Sequence, residues 1–160
     1  MTIKKIALIG AGQLGSRHLQ GLAKLKEQVQ IEVVEPVASA MDVAKERFFE
    51  VSCDHHTELF EQINQLSDKL DLVIIATNSD VRADIVRELL REKIVKNLIL
   101  EKVLFQKLAD YSEIGVELGR MSVNTWVNHA RRTLPFYKKL KTIFKGAESI
   151  HMSVTGGGWG

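Results

Sequence analysis

The chain has 160 residues, 22 Lys and Arg against 20 Asp and Glu, a formal net charge of +2 and a single cysteine. That length is about one domain and is enough to bury a core. Balanced charge without a basic stripe argues against nucleic acid as a partner, and the lone Cys53 rules out an intrachain disulfide framework.

The first apolar run, Ile6-Ala7-Leu8-Ile9, stops in Gly10-Ala11-Gly12-Gln13-Leu14-Gly15 and restarts with Leu14, Leu19, Leu22 and Leu25 at helical spacing. This reads as strand, phosphate loop and helix. Gly10 permits the tight turn, Gly12 lets the backbone approach a pyrophosphate, and Gly15 lets the helix pack closely on the strand. The N–H groups and dipole at the helix start suit a diphosphate. A second apolar run, Ile31 to Glu35, ends in a carboxylate about 20 residues past Gly15. Glu35 can accept both hydroxyls of an adenosine ribose, whereas a 2′-phosphate beside it meets a repulsion of roughly 4 kcal/mol per charge pair at an effective dielectric of ~20. NAD is therefore expected over NADP. Without a ligand, the same residues make only a turn and a solvated strand end.

Further along, a helix is predicted over 37–47, a short third strand over Phe49 to Cys53, and a helix capped by Asp54 or Thr57 that carries Leu59, Phe60, Ile63 and Leu66. Cys53 is expected as a small buried hydrophobe on that strand. The continuous apolar run Asp71 to Ala76 suits a central parallel strand covered on both faces. Thr77-Asn78-Ser79-Asp80 makes a turn able to cap a helix bearing Val81, Ile85, Val86, Leu89 and Leu90, and it puts Thr77 and Asn78 at the carboxyl end of the sheet, where ligands bind in this class. A fifth strand, Asn97 to Leu100, ends in Glu101-Lys102. A helix over Leu108 to Met121 and a sixth strand over Asn124 to His129 follow, then a helix from Leu134 to Lys145 and an extended segment from Glu148 to Thr155 before the Gly156 to Gly160 tail. Alternating strands and helices predict an α/β fold, a Rossmann-type doubly wound parallel sheet. The NAD-binding domain is expected over 1–130, with a connecting helix and an extended segment in 131–160.

Gly10 to Gly15 with Glu35, Ala76-Thr77-Asn78, Glu101-Lys102-Val103, and Asn128-His129-Ala130-Arg131-Arg132 with Pro135 together carry a family likeness that spans essentially the whole chain. The sequence resembles the N-terminal part of the Gfo/Idh/MocA oxidoreductases, the relatives of glucose-fructose oxidoreductase and inositol dehydrogenase. Glu101-Lys102 is the most specific element. Val103 and Asn78 both stand where the family commonly has proline.

The resemblance implies a cofactor site of Gly10, Gly12, Gln13, Leu14, Gly15, Glu35, Ala76, Thr77, Asn78, Glu101, Lys102 and Asn128. It also implies substrate contacts from Lys102 and Arg132, with Lys102 beside the nicotinamide and the reacting carbon. A lysine ammonium there can orient a hydroxyl, stabilise a developing alkoxide and lose a proton if burial favours the neutral amine. Glu101 would position Lys102 or the nicotinamide ribose. The substrate class, a sugar, cyclitol or related small molecule, comes from the resemblance alone, as do the reading of 131–160 as a connecting helix and the first strand of an incomplete α+β substrate domain and the expectation of a longer parent acting as a homo-oligomer. The chain by itself is expected to bind NAD without full activity.

A rival reading is a non-catalytic NAD-binding regulatory or sensor domain, which needs no cation beside the nicotinamide; the glycine phase disfavours a methyltransferase. His55 and His56 read as solvated loop residues, His18 as a helix-face residue and His151 as a strand residue. No histidine pair or Cys/His cluster has the spacing of a metal site. No apolar run reaches the ~18 residues of a membrane helix, so a cytoplasmic protein without a membrane partner is expected.

Overall fold

A computed structural model describes residues 3–51, 53–129, 133–151 and 153. The chain divides into two compact units, Met1–Asn128 and His129–Gly160. In the first, six strands form one parallel sheet: β1 (Lys4–Ile9), β2 (Val29–Val34), β3 (His56–Phe60), β5 (Leu72–Ile75), β7 (Asn97–Glu101) and β8 (Asn124–Asn128). The spatial order is β3-β2-β1-β5-β7-β8. The chain therefore winds outward one way from β1 and the other way from β5, which opens a crevice at the carboxyl ends of those two strands. A separate pair, β4 (Lys69–Leu70) and β6 (Ile94–Val95), is also parallel.

Side-chain alternation along β1 explains the two layers. Ile6 and Leu8 join Ile31, Val33 and Ile74 under α1 (Gly15–Ala23) and α2 (Ala38–Phe49), through Leu19, Leu22, Met41 and Ala44. Ala7 and Ile9 face the other way, with Val73, Ile75, Leu98 and Leu100, under α3 (Arg82–Glu92) and α4 (Leu108–Arg120). Both faces of β1 and β5 are thus buried, as their unbroken apolar runs require. Arg87 ties the second layer together, donating to Asp110 at 2.6 Å and Glu113 at 2.9 Å across α3 and α4.

Two expectations fail between residues 48 and 66. Phe49 to Cys53 is not a strand: α2 runs on to Phe49, and Phe48 and Phe49 pack edge to face at its end. The third strand is His56–Phe60, so Thr57, Leu59 and Phe60 belong to β3, and only a 3-10 turn at Ile63–Gln65 remains of the predicted helix. The cause is position in the sheet. β3 is an edge strand and half exposed, so it needs no continuous apolar run, and its polar residues disguise it. Cys53 accordingly lies half-buried in the loop before β3 and not on a strand.

The second unit holds α5 (Pro135–Ile143), opened by a proline in its first turn, where the missing N–H costs nothing. Of the segment expected as a strand from Glu148 to Thr155, residues 148–151 and 153 are not in a strand, and the others lie outside the described residues.

At the joint between β1 and α1 the glycines act as steric necessity. Gly10 has φ +87°, and a Cβ at Gly15 would lie 1.8 Å from the Gly10 carbonyl oxygen. Gly15→Ala is expected to destabilise the fold by about 1–3 kcal/mol, since α1 must lift off the turn. Gly21→Ala, on the same helix where an added Cβ meets nothing within 4 Å, is expected to be neutral or to gain up to about 1 kcal/mol. Thermal melts followed by circular dichroism compare the two.

Candidate functional site

The crevice is an open cleft of about 1010 Å³. Its floor is the turn between β1 and α1, where Gly10, Gly12, Gln13 and Leu14 line it. A Cβ at Gly12 would meet nothing within 4 Å, so the space above this residue is clear for a ligand. The N–H groups of Ser16, Arg17 and His18 in the first turn of α1 are taken up by the carbonyls of Gly12 and Leu14 at 2.9–3.1 Å, so the backbone facing that space is that of Gly12, Gln13 and Leu14 just before the helix. Gly15 does not line the cleft and instead packs behind it, against Gly10. Arg47 of α2 braces the loop from outside, donating to the Gln13 side chain at 2.7 Å and to Ser16 Oγ at 2.5 Å.

At one end lies Glu35, directly after β2 and buried. Its Oε2 accepts from the Ala11 N–H at 2.7 Å and its Oε1 from the Val37 N–H at 3.0 Å. Each carboxylate oxygen has a second lone pair, so the pinned group can still receive two ribose hydroxyls. The middle of the cleft is walled by Ala76, Thr77 and Asn78 after β5. Thr77 Oγ1 is buried without a hydrogen-bond partner among the described residues. The turn expected to cap α3 does not do so: that helix has Val81 at its N-cap and no side-chain cap bond, and the Thr77 methyl sits against Gly10.

At the other end the Glu101-Lys102 pair separates. Glu101 is 3% exposed and ends β7, whereas Lys102 is exposed at the cleft. Among the described residues Lys102 makes no ion pair. Glu101 does not hold Lys102 by a salt bridge. Its Oε1 accepts from His18 Nε2 of α1 at 2.8 Å and from Asn128 Nδ2 of β8. Asn128 thus contacts Glu101 and is not itself on the cleft wall. The Lys102–Val103 peptide is cis, although Val103 is not a proline. Arg132 lies outside the described residues.

Two residues of the site escaped the sequence reading. His18, read as a helix-face residue, reaches Glu101 across 83 positions of sequence, and no local signal foretells that contact. Arg82 is 2% exposed and opens α3 beneath both strand-end turns. Its guanidinium donates to the carbonyls of Thr77, Glu101, Val103 and Leu104. Burial lowers its pKa from the ordinary value, while Glu101 and Tyr111 raise it; an arginine in such a cage stays charged. Arg82 shares the i, i+4, i+7 stripe of Val86 and Leu89, and a charged residue on an apolar stripe is the signal that could have found it.

Among the described residues no group of three His, Cys, Asp or Glu side chains could hold a metal ion, and no helix is long and apolar enough to cross a membrane. The chemistry on offer is a diphosphate cradle, a carboxylate acceptor at one end, and a carboxylate with a neighbouring ammonium at the other. That set of donors and acceptors fits a dinucleotide.

The profile of an oxidoreductase family with the NAD-binding Rossmann fold, Gfo/Idh/MocA, matches residues 4–129. An uncharacterised oxidoreductase of Bacillus subtilis strain 168, YrbE, is 25% identical over 144 residues, which are 88% of this chain and 40% of that protein. Among solved structures, scyllo-inositol dehydrogenase from Lactobacillus casei, with bound NAD(H) and scyllo-inositol, matches with a TM-score of 0.70 at 19% identity, over 90% of this chain and 41% of that one. A super-repressor mutant of Gal80p from Saccharomyces cerevisiae matches with a TM-score of 0.72 at 18% identity, over 90% of this chain and 39% of that one. These structural likenesses concern the fold, and the chain spans 40% of the curated relative's length. With the glycine turn, the strand-end acid and the switch point in one crevice, and with the family profile spanning that same region, the chain belongs to the Gfo/Idh/MocA oxidoreductase family and carries its NAD-binding Rossmann fold.

Proposed function

We propose that the cleft binds NAD in preference to NADP, and that in a chain of the relatives' length it serves hydride transfer at a hydroxyl-bearing carbon of a sugar, cyclitol or related small molecule. The observation that carries the cofactor preference is the Glu35 carboxylate, buried and pinned by the Ala11 N–H at 2.7 Å. A carboxylate so fixed cannot swing away from a 2′-phosphate. Gly12, Gln13 and Leu14 would hold the diphosphate, Glu35 would accept from the adenosine ribose, and Thr77, Glu101 and Lys102 would be left for the nicotinamide half.

When bound, NAD accepts or supplies the hydride. The chain's own part is to orient and to handle charge. The exposed Lys102 ammonium would donate to the substrate oxygen and stabilise the alkoxide charge left once the hydroxyl proton has passed to a base from further chain, a charge that disappears into the carbonyl as the hydride leaves the carbon. Arg82 fixes the turn that carries Lys102 by tying the carbonyls on either side of it. The inositol substrate of the Lactobacillus casei neighbour supports the polyol class. The acid–base partners and most substrate walls would come from further chain, so these 160 residues alone are expected to bind cofactor and turn over little. The likeness of fold to the super-repressor mutant of Gal80p supports one other reading, an NAD-binding regulatory module in which Lys102 takes no chemical part.

Fluorescence titration of this chain is expected to show NADH bound more than about tenfold more tightly than NADPH, with the gap narrowed in Glu35→Gln because one of the opposed charges is gone. Equal affinities in the unsubstituted chain would remove the preference. Gly12→Ala should melt like the parent, since the added Cβ has open space, yet lose most NADH affinity because that space is the diphosphate's. In a chain of the relatives' length, Lys102→Ala should lower kcat by about 10²–10⁴-fold with the cofactor Kd little changed. A kcat that barely moves would favour the regulatory reading.

A further inference from the structure

Histidine 18 lies on α1, and its backbone N–H donates to the Leu14 carbonyl at 3.1 Å, so it is one turn from the diphosphate loop. Its side chain reaches the opposite end of the cleft: Nε2 lies 2.8 Å from Glu101 Oε1, with the His18 side chain 21% exposed and that of Glu101 3%. A carboxylate offers only lone pairs, so Nε2 carries the proton and donates. Asn128 Nδ2 donates to the same oxygen from β8, and Arg82 Nη1 donates to the Glu101 main-chain carbonyl at 2.5 Å from α3. Three elements from both helix layers and the sheet edge therefore converge on one residue, and the next residue in the chain is Lys102. Of these contacts, only that of His18 links the turn that would hold the diphosphate to the turn that carries Lys102.

We infer that His18 is a positioning residue: by donating to Glu101 from the first turns of α1, it locks the strand-end turn and sets the affinity of the cleft for the nicotinamide half of the dinucleotide. The inference rests on the reading of the cleft as a dinucleotide site. Its physical basis is that a charge-assisted hydrogen bond to a buried carboxylate is short, directional and costly to leave unmade. Without it, the Glu101 carboxylate keeps only Asn128 of β8 as a partner, and the end of β7 loses its tie to α1. The adenosine end does not share this dependence, because Glu35 is pinned by Ala11 and Val37 on the far side of the glycine turn.

The test compares NADH with ADP-ribose, which keeps the diphosphate and adenosine but lacks the nicotinamide, by calorimetric titration of this chain. The unsubstituted chain is expected to bind NADH more tightly than ADP-ribose. His18→Ala should weaken NADH about tenfold while ADP-ribose stays within about twofold. His18→Gln, whose side-chain amide can present a donor near the position of Nε2, should recover most of the loss, and Asn128→Ala should reproduce a part of it. Thermal melts accompany each variant. Equal loss of both ligands, no loss of either, or no recovery with His18→Gln overturns the positioning role while leaving the dinucleotide site standing. Failure of the unsubstituted chain to bind ADP-ribose overturns the dinucleotide reading itself.

Discussion

The approach of Gly15 to the Gly10 carbonyl governs the geometry of this molecule. With no side chain between them, α1 begins almost in contact with the turn that ends β1, and an added Cβ would stand 1.8 Å from that carbonyl oxygen. This closeness keeps α1 tight behind the turn, so that Gly12, Gln13 and Leu14 just before it line the crevice. The turn is then secured from two sides, by Glu35 through the Ala11 N–H and by Arg47 through Gln13 and Ser16. A residue that reads as a ligand contact is thus also a structural brace. Glu35 can do both because a carboxylate has more lone pairs than the backbone uses.

The far half of the cleft follows another logic. There is no glycine turn after β7, and the strand-end residues are held by polar side chains that arrive from elsewhere. Arg82 gathers four carbonyls from the turns after β5 and β7. Buried carbonyls left unpaired cost about 1–3 kcal/mol each, so one guanidinium, with its fork of donors, is an economical way to settle turns that no secondary structure satisfies. Glu101 is held by side chains from α1 and β8. The glycine-turn end therefore depends on backbone shape, and the Lys102 end on a network of side chains.

These two kinds of construction differ in how far they can be read from residue order. Gly10, Gly12, Gly15 and Glu35 are legible because the steric demands on them are local: the turn, the helix start and the strand end all fall within one βαβ unit. The buried central strands are equally plain, since Leu72–Ile75 and its neighbours must be apolar on both faces. β3 is not, because an edge strand needs no apolar run, and the aromatic residues just before it serve the end of α2 instead. Arg82 was detectable in principle as a charge on an apolar helical stripe.

Local order in the chain thus determined the α/β class, the parallel sheet, the glycine turn after β1 and the acid directly after β2. Each depends on residues a few positions apart, whose spacing is itself the physical constraint. Only the tertiary structure decided that Glu101 is buried while Lys102 is exposed, that His18 and Asn128 meet on one carboxylate oxygen, and that Arg82 joins two turns. Those contacts join residues brought together by the winding of the sheet, and a hydrogen bond between side chains 83 residues apart leaves no periodicity for the sequence to display.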